Sequence, residues 1–252
     1  MPHLISITGA GTGDPELLTV RAQKRLSEAD YILYDALIGT EMLALAKEGA
    51  VKIYVGKWCK DGQNQEERQS QIHGLLLQFA TGNNRIVRLK TGDPMVFGRG
   101  AEEIGFCEEN NLNYEVIPGV TAGLAASSVF GIPITERGKN NLCMFYTAQR
   151  LIRGFAGIEA VIQVLKTGSP VVIYMGLTIL EEFSVVLIKK GIQKNLPIQV
   201  LSSLSQPGQQ ICSTTIGDVG NTLKKVQPGT PAIIIIGKYA RRLSTNNGKT
   251  FR

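Results

Sequence analysis

Residues 88–100 read RLKTGDPMVFGRG, and the tetrapeptide Thr91-Gly92-Asp93-Pro94 inside them has an earlier twin in ITGAGTGDPELL, residues 7–18. Each copy follows a short apolar, β-branched run. Asp at a helix N-cap accepts a hydrogen bond from a free backbone N–H, and Pro at the next position lacks the N–H that would otherwise go unpaired. Gly-Asp-Pro therefore reads as a strand-to-helix turn. Two such turns predict a chain in which strands and helices alternate.

The pattern extends outward from both copies. LISIT (4–8), YILY (31–34), VKIYV (51–55), RIVRL (85–89) and YEVI (114–117) are strand-like, and PELLTVRAQKRLSEA (15–29) and ERQSQIHGLLLQFA (67–80) carry apolar residues at helical spacing. This alternation predicts a mostly parallel sheet covered on both faces. After GIPIT (131–135) it restarts, with strands expected at LCMFYT (142–147), VVIYM (171–175), IQVLS (198–202) and PAIIIIG (231–237). Helices are expected at IEAVIQVLK (158–166), TILEEFSVVLIKK (178–190) and DVGNTLKKV (218–226). The expected fold is α/β, with domains at 1–134 and 135–239 and a basic tail at 240–252. Ligands of open α/β sheets sit beyond the carboxyl ends of the strands, where a second domain can close over them, so an interdomain cleft is expected to hold any cofactor.

With 252 residues, 43% of them hydrophobic, the chain is long enough for two modest cores. No run approaches the ~20 apolar residues of a membrane helix, and MPHLISITGAG lacks the basic start and apolar run of a leader. A cytoplasmic location without membrane association is the default expectation. The formal charge is +6, but Lys238, Arg241, Arg242, Lys249 and Arg252 supply five of those charges within the last fifteen residues. A basic, Thr/Asn/Gly-rich end reads as a solvated tail, and no aromatic ladder accompanies basic residues elsewhere, so no nucleic-acid partner is expected. Cys59, Cys107, Cys143 and Cys212 stand singly, and His3 and His73 are the only histidines. They predict free, buried thiols and no metal site.

GAGTGDP, residues 9–15, approaches a dinucleotide fingerprint and then departs from it. Gly9 and Gly11 fit G-x-G, but Asp14 occupies the third glycine position, where its carboxylate would repel a pyrophosphate at the helix start. No GK[ST] follows to cradle phosphate. Such a turn suits a cofactor that is cationic at its reactive centre, and S-adenosylmethionine is one.

The chain resembles the tetrapyrrole methylases over almost its whole length. GAGTGDPELLTVRA, YDALI, VGKWC, RIVRLKTGDPMVFGRGAEE, VIPGVTA, GIPITERG, VVIYMGL and TPAIIIIG occur in the family's order and spacing. The YDxLI run, the following GK and FGRG are most similar to members that act on uroporphyrinogen III. The resemblance implies S-adenosylmethionine as methyl donor, S-adenosylhomocysteine as product, C2 and C7 as the methylated carbons, precorrin-2 as the final macrocycle and a homodimer. It implies cofactor contacts at Thr12, Thr91, Gly92, Asp93, Val96, Thr121, Ala122 and Met175, with the first Gly-Asp-Pro turn lining a substrate trough. It also implies Asp35 as proton acceptor and Lys57 as proton donor, both just after strands. Arg21, Arg88, Arg99, Arg137 and Arg150 form a pool of cations for the substrate carboxylates.

Several positions depart from the family pattern: Thr12 and Thr91 in the two turns, Trp58 after the GK, Glu136 where histidine is common, and SSLS at 202–205. Trp58 and Glu136 lower the local positive charge and bear on substrate choice. A methylase of a later corrin intermediate is one alternative. A cofactor-binding module without catalysis is the other.

Overall fold

The computed structural model describes residues 2–56, 65–148, 150–152 and 154–241. The chain divides into two compact units, one ending at Ala122 and the other beginning at Gly123. This division falls ahead of the 134/135 boundary expected from the restart of the strand pattern, and it assigns nearly all of the helix Ala122–Phe130 to the second unit. Its Gly123 N–H donates to the Tyr174 hydroxyl at 3.0 Å, and a Cβ at Gly123 would stand 2.4 Å from that oxygen. The helix start is packed too closely there for any side chain.

The first unit runs β1 (Leu4–Gly9), α1 (Val20–Glu28), β2 (Tyr31–Tyr34), α2 (Thr40–Leu43), β3 (Val51–Tyr54), α3 (Gln65–Phe79), β4 (Arg85–Lys90), α4 (Gly100–Glu109) and β5 (Tyr114–Ile117). Its sheet has the order β3-β2-β4-β1-β5, and every pairing is parallel. All five strands were legible as apolar runs. The helical stretch at 15–29 divides in two, because Asp14 caps only a 3-10 turn at Pro15–Leu17 and Thr19 then caps α1 through its side chain.

Side-chain alternation sorts the sheet into two faces. Ile5, Ile7, Leu33 and Ile86 pack with Ile72, Leu76 and Cys107 of α3 and α4. Ile32, Val87 and Leu89 pack on the other side with Leu26 of α1 and Met42 of α2. Counting by twos from Ile86 and Leu33 puts Arg88, Lys90 and Asp35 on the α3/α4 face.

The second unit contains α5 (Ala122–Phe130), β6 (Met144–Thr147), β7 (Arg150–Leu151), β8 (Gly154–Phe155), α6 (Ile158–Lys166), β9 (Val171–Tyr174), α7 (Leu180–Lys189), β10 (Pro197–Ser202), β11 (Gln210–Thr215), α8 (Val219–Val226) and β12 (Ala232–Ile236). Its sheet order is β11-β10-β12-β9-β6. Only β6 and β9 pair in parallel; β10 with β11, β10 with β12 and β12 with β9 are antiparallel. The second sheet therefore differs from a repeat of the first. Strand β11 went unread because QICSTT lacks an apolar run. It sits at the sheet edge, where one side of its backbone has no strand partner.

Cys107 and Cys212 are buried and Cys143 is half-buried, a departure from four buried thiols; Cys59 lies outside the described residues. Among the described residues no helix is long and apolar enough to cross a membrane.

Candidate active site

The loops that leave β4, β1 and β5, three neighbours in the first sheet, meet at the carboxyl ends of those strands. Gly11 N–H donates to the Gly92 carbonyl at 3.2 Å, and Gly92 N–H donates to the Gly11 carbonyl at 2.7 Å, so the two Thr-Gly-Asp-Pro segments are joined by a backbone bridge. Glycine is required where the loops cross. A Cβ on Gly9 would lie 2.5 Å from the Gly119 nitrogen, and one on Gly119 would lie 2.2 Å from the Gly92 carbonyl oxygen. Gly92 has a different requirement. The nearest atom to its Cβ position is 3.9 Å away, but its φ is 71°, in the left-handed region. A Cβ at Gly92 would meet only ordinary van der Waals contacts, so the left-handed backbone, and not crowding by its own protein, favours glycine there.

The two aspartates have different partners. Asp14 Oδ1 accepts from Glu16 N–H at 2.9 Å, within its own exposed turn. Asp93 Oδ1 accepts from Met95 N–H at 2.8 Å, and its Oδ2 accepts from Gly119 N–H at 3.1 Å. Asp93 thus ties the loop after β4 to the loop after β5 and caps no helix. Beyond it, Gly100 N–H donates to the Pro94 carbonyl at 2.9 Å before α4 begins. Phe97 and Arg99 both take left-handed backbone conformations in this return, at φ 54° and 59°. Non-glycine residues rarely do so, and such strain clusters where a surrounding structure over-determines the backbone.

One strand further along, Asp35 follows β2. Its Oδ1 accepts from Arg88 Nη2 at 2.6 Å. Arg88 Nε donates to Glu103 Oε1 at 3.0 Å, and Lys90 Nζ donates to the same oxygen at 2.8 Å. Relative exposures are 2% for Arg88, 3% for Lys90 and 0% for Glu103. Burial alone would lower the arginine's proton affinity, but Glu103 and Asp35 outweigh it and raise it; for Lys90 burial and the neighbouring Arg88 prevail and its pKa is lowered. Arg88 is therefore an internal ion-pair partner, and it leaves the pool of cations expected to meet a substrate. Removing one member of such a buried pair costs about 3–5 kcal/mol, because the other charge stays behind without compensation.

Of the expected site residues, the structure brings Thr12, Thr91, Gly92, Asp93, Val96, Thr121 and Ala122 to the three adjacent loops after β1, β4 and β5. Thr12 and Thr121 are buried, and the Thr91 hydroxyl oxygen is buried without a hydrogen-bond partner among the described residues. Met175 belongs to the second unit, directly after β9, with φ 54° and 69% of its surface exposed. Lys57 and Trp58 lie outside the described residues. Glu136 pairs with Lys139. Glu103, Gly9 and Gly119 were missed as site residues. The available signal was RIVRLK, in which Arg88 and Lys90 share a strand face with the buried Ile86 and so demand a buried acid.

Residues 5–220 match the family described as Tetrapyrrole (Corrin/Porphyrin) Methylases. The chain belongs to the tetrapyrrole methylase family. It is 35% identical over 251 residues to the uroporphyrinogen-III C-methyltransferase of Methanocaldococcus jannaschii, covering 97% of this chain and 100% of that one. It is 39% identical over 233 residues to the siroheme synthase of Psychrobacter arcticus, covering 92% of this chain and 42% of the synthase. The chain thus spans less than half the length of that relative. Among solved structures, uroporphyrin-III C-methyl transferase from Thermus thermophilus complexed with S-adenyl homocysteine superposes with a TM-score of 0.77 at 33% identity, covering 95% of this chain and 93% of that one. The tetrapyrrole methylase fold, a mixed α/β architecture with a parallel sheet, is thereby established.

Proposed function

We propose that this protein transfers methyl groups from S-adenosylmethionine to C2 and C7 of uroporphyrinogen III, giving precorrin-2 and S-adenosylhomocysteine. The observation that carries the reading is the match with the Methanocaldococcus jannaschii uroporphyrinogen-III C-methyltransferase along its entire length.

The residues present suit the cofactor. A Cβ at Gly92 would meet no crowding neighbour, the Thr91 hydroxyl is buried with no hydrogen-bond partner among the described residues, and carboxylates stand in the turns where a phosphate-binding loop would need none. Thr12, Thr91, Gly92, Val96, Thr121 and Ala122 of the first unit would hold it. Asp93 would act mainly by fixing the loop that contacts it. When bound, the cofactor supplies an electrophilic methyl group on a sulfonium. The chain's own part is to bind and orient the macrocycle and to manage the proton that the methylated pyrrole must lose. Asp35 would accept that proton, with one oxygen held by Arg88. Lys57 would serve as donor. Much of the rate would come from alignment of an electron-rich carbon with the methyl group.

The test is anaerobic incubation with uroporphyrinogen III and labelled cofactor, counting methyl groups per macrocycle. Two are expected. None, with tight cofactor binding, would overturn the substrate and move the reading to a later corrin intermediate, for which Trp58 and Glu136 would be the responsible departures, or to a module that binds cofactor without catalysis. The active form is further proposed to be a homodimer. Leu151 and Ile152, exposed on the β7–β8 hairpin, support a covered surface on the second unit. Light scattering should give twice the 27.3 kDa chain mass.

A further inference from the structure

The buried charges behind Asp35 form a branched chain. Glu103, in the first turn of α4, receives both Arg88 and Lys90 on Oε1, and its Oε2 is buried with no hydrogen-bond partner among the described residues. Arg88 then reaches across from β4 to Asp35, while its Nη1 donates to the Leu33 and Leu89 carbonyls at 3.4 and 3.2 Å. The backbone contacts and the Glu103 bond leave the guanidinium one placement. Nη2 is the atom that it offers to Asp35.

We propose that Glu103 is a positioning residue for Asp35: acting through Arg88, it shares the guanidinium charge and so sets how firmly that guanidinium holds the carboxylate against a proton. The proposal rests on the reading of Asp35 as proton acceptor. A carboxylate facing an unshared, desolvated guanidinium would be a poor base, because an opposite charge at contact stabilises the ionised form. A second carboxylate on the far side of the same guanidinium divides that stabilisation. Lys90 counters Glu103 in turn, so the sign of each effect on Asp35 can be worked out. Removing the Glu103 charge leaves Arg88 and Lys90 acting on Asp35 unopposed and strengthens the hold. Removing the Lys90 charge gives Glu103 wholly to Arg88 and weakens it.

Among the described residues, the charged groups facing this chain are few. Arg88 and Lys90 of β4 act on Asp35, and Glu103 of α4 reaches it through Arg88. On the Glu103 side, Arg99, itself paired with Glu102, lies within its electrostatic reach, as do His73 of α3 and Cys107 of α4. Burial, the largest influence on the last two, lowers the His73 pKa and raises that of Cys107 to about 11. Cys107 is therefore neutral across the range in which a carboxylate titrates.

The experiment is a carbon-13 titration of the Asp35 carboxyl in the folded full chain, assigned by its loss in Asp35→Asn. Glu103→Gln keeps an oxygen for Arg88 Nε and removes only the charge. In this variant the Asp35 midpoint should fall below that of the wild type. In Lys90→Met it should rise. Simple loosening that freed Asp35 from Arg88 would raise the midpoint in both, so a rise or no change in Glu103→Gln overturns the proposal. Should Glu103→Gln fail to fold, the double variant Glu103→Gln/Lys90→Met, which removes the buried pair together, is compared with Lys90→Met: a lower Asp35 midpoint in the double variant supports the proposal, and an equal or higher one overturns it. The acidic limb of the methyl-transfer pH profile should move with the midpoint. Full activity in Asp35→Asn would defeat the Asp35 reading while leaving the titration coupling standing, whereas an inactive Asp35→Asn with an unmoved Glu103→Gln midpoint would defeat the Glu103 proposal alone.

Discussion

The two Thr-Gly-Asp-Pro segments share four residues and a place after neighbouring parallel strands, yet they do different work. In the first, Asp14 satisfies one N–H of its own exposed 3-10 turn. In the second, Asp93 spans two loops and accepts from Met95 and Gly119. Local sequence sets the turn. What the turn is joined to depends on which strands flank it, and β4 lies between β2 and β1 while β1 lies between β4 and β5. The loop after β4 is thus adjacent to both the Asp35 segment and the Gly11 bridge.

The comparison can be broken most forcefully at the crossing glycines. Gly119→Ala would drive a Cβ to 2.2 Å from the Gly92 carbonyl oxygen, and a backbone shift of that kind costs about 3 kcal/mol in urea unfolding. Calorimetry should also show loss of S-adenosylhomocysteine binding, since the loop carrying Gly92 must move. Gly11→Ala, whose Cβ would have 3.5 Å of room and only a φ of 67° against it, should cost about 1 kcal/mol. Equal costs at the two sites would mean that crowding is not what distinguishes them.

A smaller effect separates the aspartates. Asp93→Ala strands the partly buried Gly119 N–H and frees the exposed Met95 N–H to water, an expected loss of about 2 kcal/mol. Asp14→Ala removes one exposed cap and should cost about 0.5 kcal/mol. Paired denaturation curves check both. Cofactor affinity sharpens the contrast, because Asp93→Ala should weaken S-adenosylhomocysteine binding and Asp14→Ala should leave it close to wild type.

Much of the first unit was legible in the chain. Its strands are apolar runs of four to six residues, its turns carry Gly, Asp and Pro, and the strand–helix alternation implies parallel pairing. The second unit was legible as elements and illegible as pairing. VVIY and AIIII are plain strands, but nothing in their spacing tells that β12 lies antiparallel to β9. Nor does it place the polar QICSTT beside β10. The family motifs placed seven of the eight expected cofactor residues on three adjacent loops of the first unit, whereas Lys57 falls outside the described residues.

By itself, then, the sequence determined which segments form strands and helices, where the turns fall and which loops leave the carboxyl ends of the first sheet. These properties depend on residues within a few positions of one another, through backbone sterics, capping and the burial of one face. Tertiary structure alone decided that Asp93 reaches Gly119, that Gly9 and Gly119 must lack side chains, and that Arg88 meets Asp35 and Glu103 inside the protein instead of standing free for a substrate. Those outcomes follow from strand order and helix docking. They join residues 15 to 110 positions apart, and no local propensity encodes which of the many possible partners a buried charge or a crowded glycine will meet.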